Sequence, residues 1–158
     1  KYHGLGYEYD EAGNRNVIRY YGSADALVLI DGQYSEIHRT FDDSKRTTTE
    51  SYFGLSGEKV VLSAGYHMVS YGYDEANNIN VLKYFDIEGN PTLINSGVHE
   101  IHRTFNEVKK VIREEYYGTD GNPIANTSGV AVITREYYDD GSLISEYKYD
   151  IDGNLIEE

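Results

Sequence analysis

The chain has 158 residues, including 17 tyrosines but no cysteine or tryptophan, and its formal net charge is −13. This length suits one domain or one array of small repeats, and 39% hydrophobic residues can form a core without a disulfide or a metal. The lack of cysteine excludes a thiolate nucleophile and cysteine-ligated zinc or iron–sulfur sites. The negative charge disfavours nucleic acid as a partner, and no apolar run is long enough to predict a membrane span.

The main feature of the sequence is a period of 32 residues that needs no insertion. We predict a single repeat domain over 1–158, with copies at 1–32, 33–64, 65–96, 97–128 and 129–158. One column of the alignment is aliphatic: Leu5, Ile37, Val69, Ile101 and Ile133. Another column is tyrosine in four copies: Tyr20, Tyr52, Tyr84 and Tyr116. Segments 36–41 and 100–105 are identical, which indicates a true internal repeat.

Each copy predicts two strands, taken in chain order. The first is rich in β-branched and aromatic residues, as at 34–41, and a polar turn follows it. The second ends in an aromatic pair such as Tyr52-Phe53, and a glycine turn with a short apolar segment leads to the next copy. Residues 106–115 alone fit a short amphipathic helix, but aligned copies hold Gly and Asn there. We therefore predict a turn and a strand over 106–115.

A single hairpin cannot bury its apolar face, whereas neighbouring copies bury theirs against each other. We therefore predict an all-β fold: an elongated array of five 32-residue β-hairpin repeats, mostly antiparallel. Strand alternation puts Tyr9, Tyr73 and Tyr137 on the face of the aliphatic column, so we expect them in the core.

The two residues of each aromatic pair should point to opposite faces of the sheet. The second position accepts Phe and the first does not, so the first ring is expected to be exposed or to use its hydroxyl. This predicts a row of ligand-contacting tyrosines: Tyr20, Tyr52, Tyr84 and Tyr116. Exposed tyrosines can stack on sugar rings while their hydroxyls form hydrogen bonds.

The motif Tyr-x-Tyr-Asp-x-x-Gly-Asn occurs at 7–14 and 147–154, with degraded versions at 71–78 and 85–90. It resembles the tyrosine/aspartate (YD, RHS-type) repeats of bacterial surface and secreted proteins, whose β-hairpins build long sheets or shells. The aromatic pairs followed by Gly are also similar to the hairpins of cell-wall-binding repeats. Both resemblances imply a non-catalytic repeat module at the cell surface or outside a bacterial cell.

Two functions follow as expectations. The first is binding of a polysaccharide or cell-wall glycan along the tyrosine row, with no cofactor and no enzymatic activity, since hydrolase, metalloprotease and phosphate-loop motifs are absent from the sequence. The alternative is a structural spacer or protein–protein interaction scaffold, in which the same tyrosines are buried and the acidic surface meets a protein partner.

The sequence also allows predictions about metal binding and about three arginines. Asp150, Asp152 and Asn154 alternate like the start of a calcium loop, so weak calcium binding at the acidic turns stays open, although turns favour the same residues for backbone reasons. His67 and His99 share a register but lack a third ligand, so no metal site is predicted. Three arginines share the position that Tyr7 and Tyr71 occupy in other copies, and we expect them to stack on rings and pair with carboxylates: Arg39, Arg103 and Arg135.

Overall fold

The computed structural model describes residues 2–157, which contain ten β-strands and no helix. The strands are β1 Gly4–Tyr9, β2 Arg15–Tyr21, β3 Glu36–Phe41, β4 Thr47–Phe53, β5 Met68–Tyr73, β6 Ile79–Phe85, β7 Glu100–Phe105, β8 Val111–Tyr117, β9 Val132–Tyr137 and β10 Leu143–Tyr149. They follow one another in one sheet in chain order, with antiparallel pairing. The predicted all-β class with antiparallel hairpins is confirmed, and 106–115 forms a turn and then β8 as expected.

The turn of each hairpin is closed by its own side chains. In the third copy, Asp74 Oδ1 accepts the backbone N–H of Asn78 at 2.8 Å, and Asp74 Oδ2 accepts the Asn78 amide, also at 2.8 Å. These hydrogen bonds lower the pKa of Asp74. One residue per turn is left-handed, namely Gly13, Lys45, Asn77, Lys109 and Gly141. Gly and Asn adopt this conformation readily, which explains the polar, glycine-containing turns in the sequence.

A β-bulge follows the turn in the hairpins of the first, second, fourth and fifth copies. In the second copy Thr40 pairs with Thr49 but Phe41 pairs with Thr47, so Thr48 is the extra residue. The extra residue lies on the second strand of the hairpin, so the first strand, which carries the Tyr9 column, keeps its alternation. The prediction that Tyr9 lies in the core is wrong, because its side chain is 57% exposed, whereas Tyr73 and Tyr137 are half-buried.

The chain divides into two compact units, Lys1–Ser70 with Phe85–Asn90 and Tyr71–Tyr84 with Pro91–Glu158. In the first unit the core is Ile18, Ile37 and Tyr52, against which pack Tyr7, Tyr20, Tyr34, Val60, Leu62 and Tyr66. Val60 and Leu62 belong to the segment after β4, so the connector between copies supplies part of this core. The second unit buries Tyr84, Val98, Ile101, Tyr116, Val130, Ala131 and Ile133.

Successive copies are joined by the same junction each time. Within the first unit, residues 17–19 pair with 36–38 and 49–51 with 68–70. Within the second unit, residues 81–83 pair with 100–102 and 113–115 with 132–134. Each copy therefore shares three residue pairs with the next, as expected for a repeat protein stabilised by nearest-neighbour contacts.

The tyrosine column lies at the centre of this junction, and we call its position the hub position. The hub N–H donates to a carbonyl of the next copy: Tyr20 to Ser35 at 3.0 Å, Tyr52 to His67 at 3.3 Å, Tyr84 to His99 at 3.1 Å and Tyr116 to Ala131 at 3.2 Å. The hub carbonyl accepts an N–H from the connector: Val28, Val60, Thr92 and Ile124. One residue per copy thus ties together the hairpin, the connector and the next hairpin.

Ser35 is a buried polar residue whose hydroxyl can be removed without loss of stability. Its side chain is 0% exposed, and its hydroxyl has no hydrogen-bond partner among residues 2–157. The fifth copy holds a buried alanine, Ala131, at the same repeat position.

We expect Ser35→Ala to leave the free energy of unfolding unchanged or to raise it by about 1 kcal/mol, because an unsatisfied buried hydroxyl is costly. Urea denaturation of Ser35→Ala beside the exposed control Ser56→Ala measures this. A loss of stability larger than that of the control would mean that the Ser35 hydroxyl is bonded in solution.

Candidate functional site

The structure places the four predicted ligand-contacting tyrosines on the inside. Tyr52, Tyr84 and Tyr116 are each 8% exposed, and Tyr20 is half-buried. Of the two alternatives predicted for these rings, exposure is wrong for Tyr52, Tyr84 and Tyr116, whereas use of the hydroxyl is confirmed for Tyr52 and Tyr116. The second residues of these aromatic pairs are more accessible, since Phe53, Phe85 and Tyr117 are half-buried.

In the first unit the tyrosines form a continuous ladder, which we define as Tyr2, Tyr20, Tyr34, Tyr52 and Tyr66. Neighbouring ring centroids are separated by 5.2, 5.9, 5.1 and 6.0 Å along this series. Every step is edge-to-face, with interplanar angles between 65° and 75°. This is a favoured geometry for aromatic pairs, worth about 0.5–1.5 kcal/mol each beyond burial. The rings of the ladder therefore pack against one another.

The ladder hydroxyls find partners inside the protein. The Tyr52 hydroxyl donates to Glu50 Oε2 at 3.2 Å, and in the second unit the Tyr116 hydroxyl donates to Glu114 Oε1 at 2.7 Å. In the second and fourth copies the hub hydroxyl therefore has a partner inside the protein, which a Phe at this position would lack.

The glutamates at the ladder also bind the arginines that the sequence singled out. Arg39 Nε donates to Glu50 Oε1 at 2.7 Å, Arg103 Nε to Glu114 Oε2 at 2.8 Å, and Arg135 Nε to Glu146 Oε2 at 2.7 Å. Each arginine faces its glutamate directly across the hairpin. The predicted pairing with a carboxylate is confirmed for these three arginines.

Sequence reasoning missed the glutamate partners, although the repeat carries a signal for them. Copies that have Arg at the repeat position of Arg39 have Glu directly opposite on the neighbouring strand, as Arg39 faces Glu50. In the first copy the facing pair is Tyr7 and Ile18, and the third copy holds Tyr71 and Leu82 at the two positions. Both residues are charged in some copies and both are uncharged in the others. This joint change indicates that the two side chains are in contact.

The opposite face of the sheet holds a second charged cluster in each unit. In the first unit Glu36 is buried and accepts hydrogen bonds from Arg19 and His38. Burial alone would raise the pKa of Glu36, but the bonds from His38 and Arg19 outweigh it and lower the pKa. In the second unit Glu100 is held in the same way by His102 and Lys83. These clusters satisfy the buried carboxylates at two junctions, the one between the first and second copies and the one between the third and fourth.

The acidic turns use their carboxylates locally. Asp150 Oδ1 accepts the backbone N–H groups of Asp152 at 3.0 Å and Asn154 at 2.8 Å, and Asp150 Oδ2 accepts the Asn154 amide at 3.0 Å. No group of three or more His, Asp or Glu side chains suited to hold a metal ion occurs within 2–157.

The two histidines considered as metal ligands are buried and bound to backbone carbonyls. His67 Nδ1 lies 3.1 Å from the Val60 oxygen, and His99 Nδ1 lies 3.3 Å from the Thr92 oxygen. Each histidine thus holds the connector of the preceding copy against the sheet.

Comparison with known proteins adds no family to this description. No protein-family model matches the chain, and no curated protein matches it significantly. Among the described residues 2–157 there is no helix of the length and apolarity that a membrane crossing requires.

Proposed function

We propose that the chain is a non-catalytic structural repeat module, a spacer or interaction scaffold of a larger bacterial surface or secreted protein. The observation that carries the proposal is the burial of the tyrosine column: at 8% exposure, Tyr52, Tyr84 and Tyr116 serve the contacts between copies. A spacer needs such a repeated internal junction, because each added copy then extends the array at a fixed register. The resemblance to tyrosine/aspartate repeats supports the surface or secreted location.

The same observation argues against the tyrosine column as a glycan strip. A sugar ring stacks on the flat face of an aromatic ring and bonds to its hydroxyl, so both must reach solvent. In the first unit the rings of the ladder contact one another edge-to-face, and the Tyr52 hydroxyl is bound to Glu50. At 8% exposure, the Tyr52 ring offers no open face to a sugar in the folded chain.

The acidic surface supports a protein partner with basic groups as the scaffold ligand. The chain carries 27 acidic against 14 basic residues, so its carboxylates outnumber the Lys and Arg side chains that could pair with them within the chain. Charge complementarity of this kind mainly accelerates encounter and selects partners, and salt weakens it.

Alkaline titration tests whether the tyrosine column is internal in solution. Burial raises the pKa of the Tyr20, Tyr34, Tyr66 and Tyr116 hydroxyls above the ordinary value of 10.0. The folded chain therefore keeps protons that the unfolded chain has lost, so the free energy of unfolding should fall as the pH rises above about 10. We expect these four tyrosines to ionise at a higher pH in the folded chain than in the unfolded chain, and in the same transition as unfolding.

Phenolate absorbance against pH, with and without denaturant, measures this without interference from tryptophan, which the chain lacks. Tyr9→Phe is the matched control, because Tyr9 is exposed, and it should leave the ionisation of the buried tyrosines unchanged. Identical curves for the folded and denatured chain would contradict an internal column. Saturable glycan binding that Tyr52→Phe abolishes in a fully stable chain would overturn the spacer proposal itself.

A further inference from the structure

The fifth copy lacks the histidine ring that the third and fourth copies place at their junctions. The repeat position holds histidine in the first, third and fourth copies, serine in the second and alanine in the fifth: His3, His67, His99, Ser35 and Ala131. Ala131 is buried to the same degree as the two later histidines, with 4% exposure against 4% for His67 and 5% for His99. An alanine therefore stands where two other copies bury an imidazole ring.

The backbone at Ala131 is bonded as it is at the histidines. The Ala131 N–H donates to the Tyr149 carbonyl at 2.8 Å, and the Ala131 carbonyl accepts the Tyr116 N–H at 3.2 Å. His99 forms the same two bonds with the preceding equivalents of these tyrosines, at 2.9 and 3.1 Å. The main chain therefore keeps its register, and at this position the fifth copy differs from the fourth by the atoms beyond Cβ.

In the third copy the histidine ring makes two contacts at its junction. His67 Nδ1 lies 3.1 Å from the Val60 oxygen, and because a carbonyl oxygen only accepts hydrogen bonds, Nδ1 donates here. The His67 ring also meets the Phe53 ring edge-to-face, with centroids 5.4 Å apart and an interplanar angle of 87°. Burial lowers the pKa of His67, which favours the neutral ring in this place.

A cavity of about 220 Å³ lies beside Ala131 at the junction of the fourth and fifth copies. Its lining includes Tyr116 and Tyr117 of β8, Pro123 of the connector and Ile151 of the turn after β10. Both β8 and β9 have a neighbouring strand on each side within the chain. The cavity therefore belongs to an internal junction and not to an edge of the sheet.

The groups that contact the His67 ring have counterparts at this cavity. By the repeat alignment, Tyr117 is the counterpart of Phe53, and Ile124 is the counterpart of Val60. Within the described part of the chain, the Ile124 carbonyl accepts no hydrogen bond. A hydrogen-bond acceptor and an aromatic ring are thus in place for a ring that the fifth copy does not supply.

We propose that this cavity binds an imidazole ring from another molecule, in the place that the rings of His67 and His99 occupy at their own junctions. The bound ring donates its N–H to the Ile124 carbonyl and meets Tyr117 edge-to-face. A free imidazole compound and the histidine side chain of a partner polypeptide present this same ring. The site does not depend on the spacer role, which rests on the backbone pairings and on the buried tyrosine column.

An adjoining cavity of about 240 Å³ provides room for the rest of the ligand. Val132 lines both cavities, and Arg113 and Thr134 line the second. At the repeat positions of Val132 and Thr134 the fourth copy has Glu100 and His102, which are larger and are paired with each other. The smaller side chains of the fifth copy leave space beside the ring, where the Thr134 hydroxyl and the Arg113 guanidinium can bond to polar groups of a ligand.

NMR titration of the full chain with imidazole tests the site directly. At a pH of about 8, where an imidazole ring is mostly neutral, we expect saturable shifts of the backbone amides of residues 117, 124 and 131. The dissociation constant should be millimolar, because so small a ligand makes few contacts. 1-Methylimidazole, which has no N–H to donate, should bind about tenfold more weakly. Shifts that do not saturate, or equal affinities for the two probes, would overturn the proposal.

Replacing Ala131 with histidine supplies the ring from the chain itself. Ala131→His should abolish imidazole binding, because its own ring takes the site. Ala76→His is the matched control, since Ala76 is exposed in a turn of the same unit, and it should leave binding unchanged. Imidazole binding that persists in a folded Ala131→His chain would contradict the assignment to this cavity.

The converse variant, His67→Ala, keeps the proposal testable if Ala131→His does not fold. It removes the ring at an equivalent position, so it should lower the melting temperature, and imidazole should restore part of the loss. The rise in melting temperature with imidazole should be larger than in the unsubstituted chain, with 1-methylimidazole as the solvent control. Equal rises in the two chains would show that this ring position does not accept a free imidazole, and the assignment would be wrong.

A peptide separates the two sources of the ring. Acetyl-Gly-His-Gly-amide that binds about tenfold more tightly than imidazole would support a histidine of a partner polypeptide, because the adjoining cavity then holds its main chain. A peptide that binds no more tightly would support a free imidazole compound as the ligand. Acetyl-Gly-Ala-Gly-amide should not compete with imidazole in either case, and competition by it would overturn the proposal. Failure of imidazole binding would leave the spacer role standing, because the internal junctions are unaffected.

Discussion

Replacing Tyr52 with alanine is expected to lower the free energy of unfolding by about 3 kcal/mol or more, the range observed when a large buried ring is truncated. Tyr52 is 8% exposed, contacts the rings of Tyr34 and Tyr66, and packs with Ile18 and Ile37. Its removal leaves a cavity and deletes two edge-to-face contacts. Urea denaturation followed by circular dichroism measures the loss.

Two further variants separate the contributions at this position. Tyr52→Phe keeps the ring and loses the hydroxyl bond to Glu50, so we expect a loss of about 1 kcal/mol. Tyr9→Ala removes a ring that is mostly exposed and should change stability by no more than about 0.5 kcal/mol. If Tyr52→Ala cost as little as Tyr9→Ala, the tyrosine column would not be internal, and the glycan strip would again be the better interpretation.

The second large effect is expected at the pair Arg39 and Glu50. Arg39→Tyr alone should cost about 2 kcal/mol, because it leaves the poorly exposed Glu50 carboxylate without its cation. The double variant Arg39→Tyr with Glu50→Ile should recover most of that loss, because the first copy uses Tyr7 facing Ile18 at the same two positions. A double-mutant cycle measures the coupling between the two residues.

Glu50→Ile alone completes the cycle and carries its own expectation. It leaves the Arg39 guanidinium without its carboxylate and removes the acceptor of the Tyr52 hydroxyl, so it should also destabilise the chain by about 2 kcal/mol. Strictly additive losses in the double variant would show that the two positions act independently and that the repeat does not exchange ionic for apolar pairs.

These results would also define how stability is distributed along the repeat. The hub hydrogen bonds, the three-residue strand pairings and the hairpin turns recur at equivalent positions within each unit. A protein of this kind is expected to lose stability locally when one junction is weakened, with effects that decline beyond the adjacent copy. Hydrogen exchange of the Tyr52→Ala chain would show whether opening is confined to the junction of β4 and β5.

The sequence alone determined the period, the strands and the turns of this protein. A column of residues spaced by 32 positions identifies the repeat, and β-branched and aromatic segments bounded by Gly, Asn and Asp identify strands and turns. Residues 106–115 were predicted correctly because the aligned copies contain Gly and Asn, which overruled a local helical pattern. These properties are local or repeated, so neighbouring residues suffice to predict them.

Only the tertiary structure decided which ring of each aromatic pair is inside. Alternation puts Tyr52 and Phe53 on opposite faces, but it does not say which face the connector covers, and Val60 and Leu62 pack on the side of Tyr52. The sequence gives no sign that the hub hydroxyl bonds to Glu50, because the repeat pattern that marks Glu50 links it to Arg39 and not to Tyr52. The exposure of Tyr9 was equally hidden, since alternation gives the face on which a residue lies but not what covers that face. Packing between segments decides which polar groups find hydrogen-bond partners inside the protein. The residue pattern of a single strand does not reveal these partners.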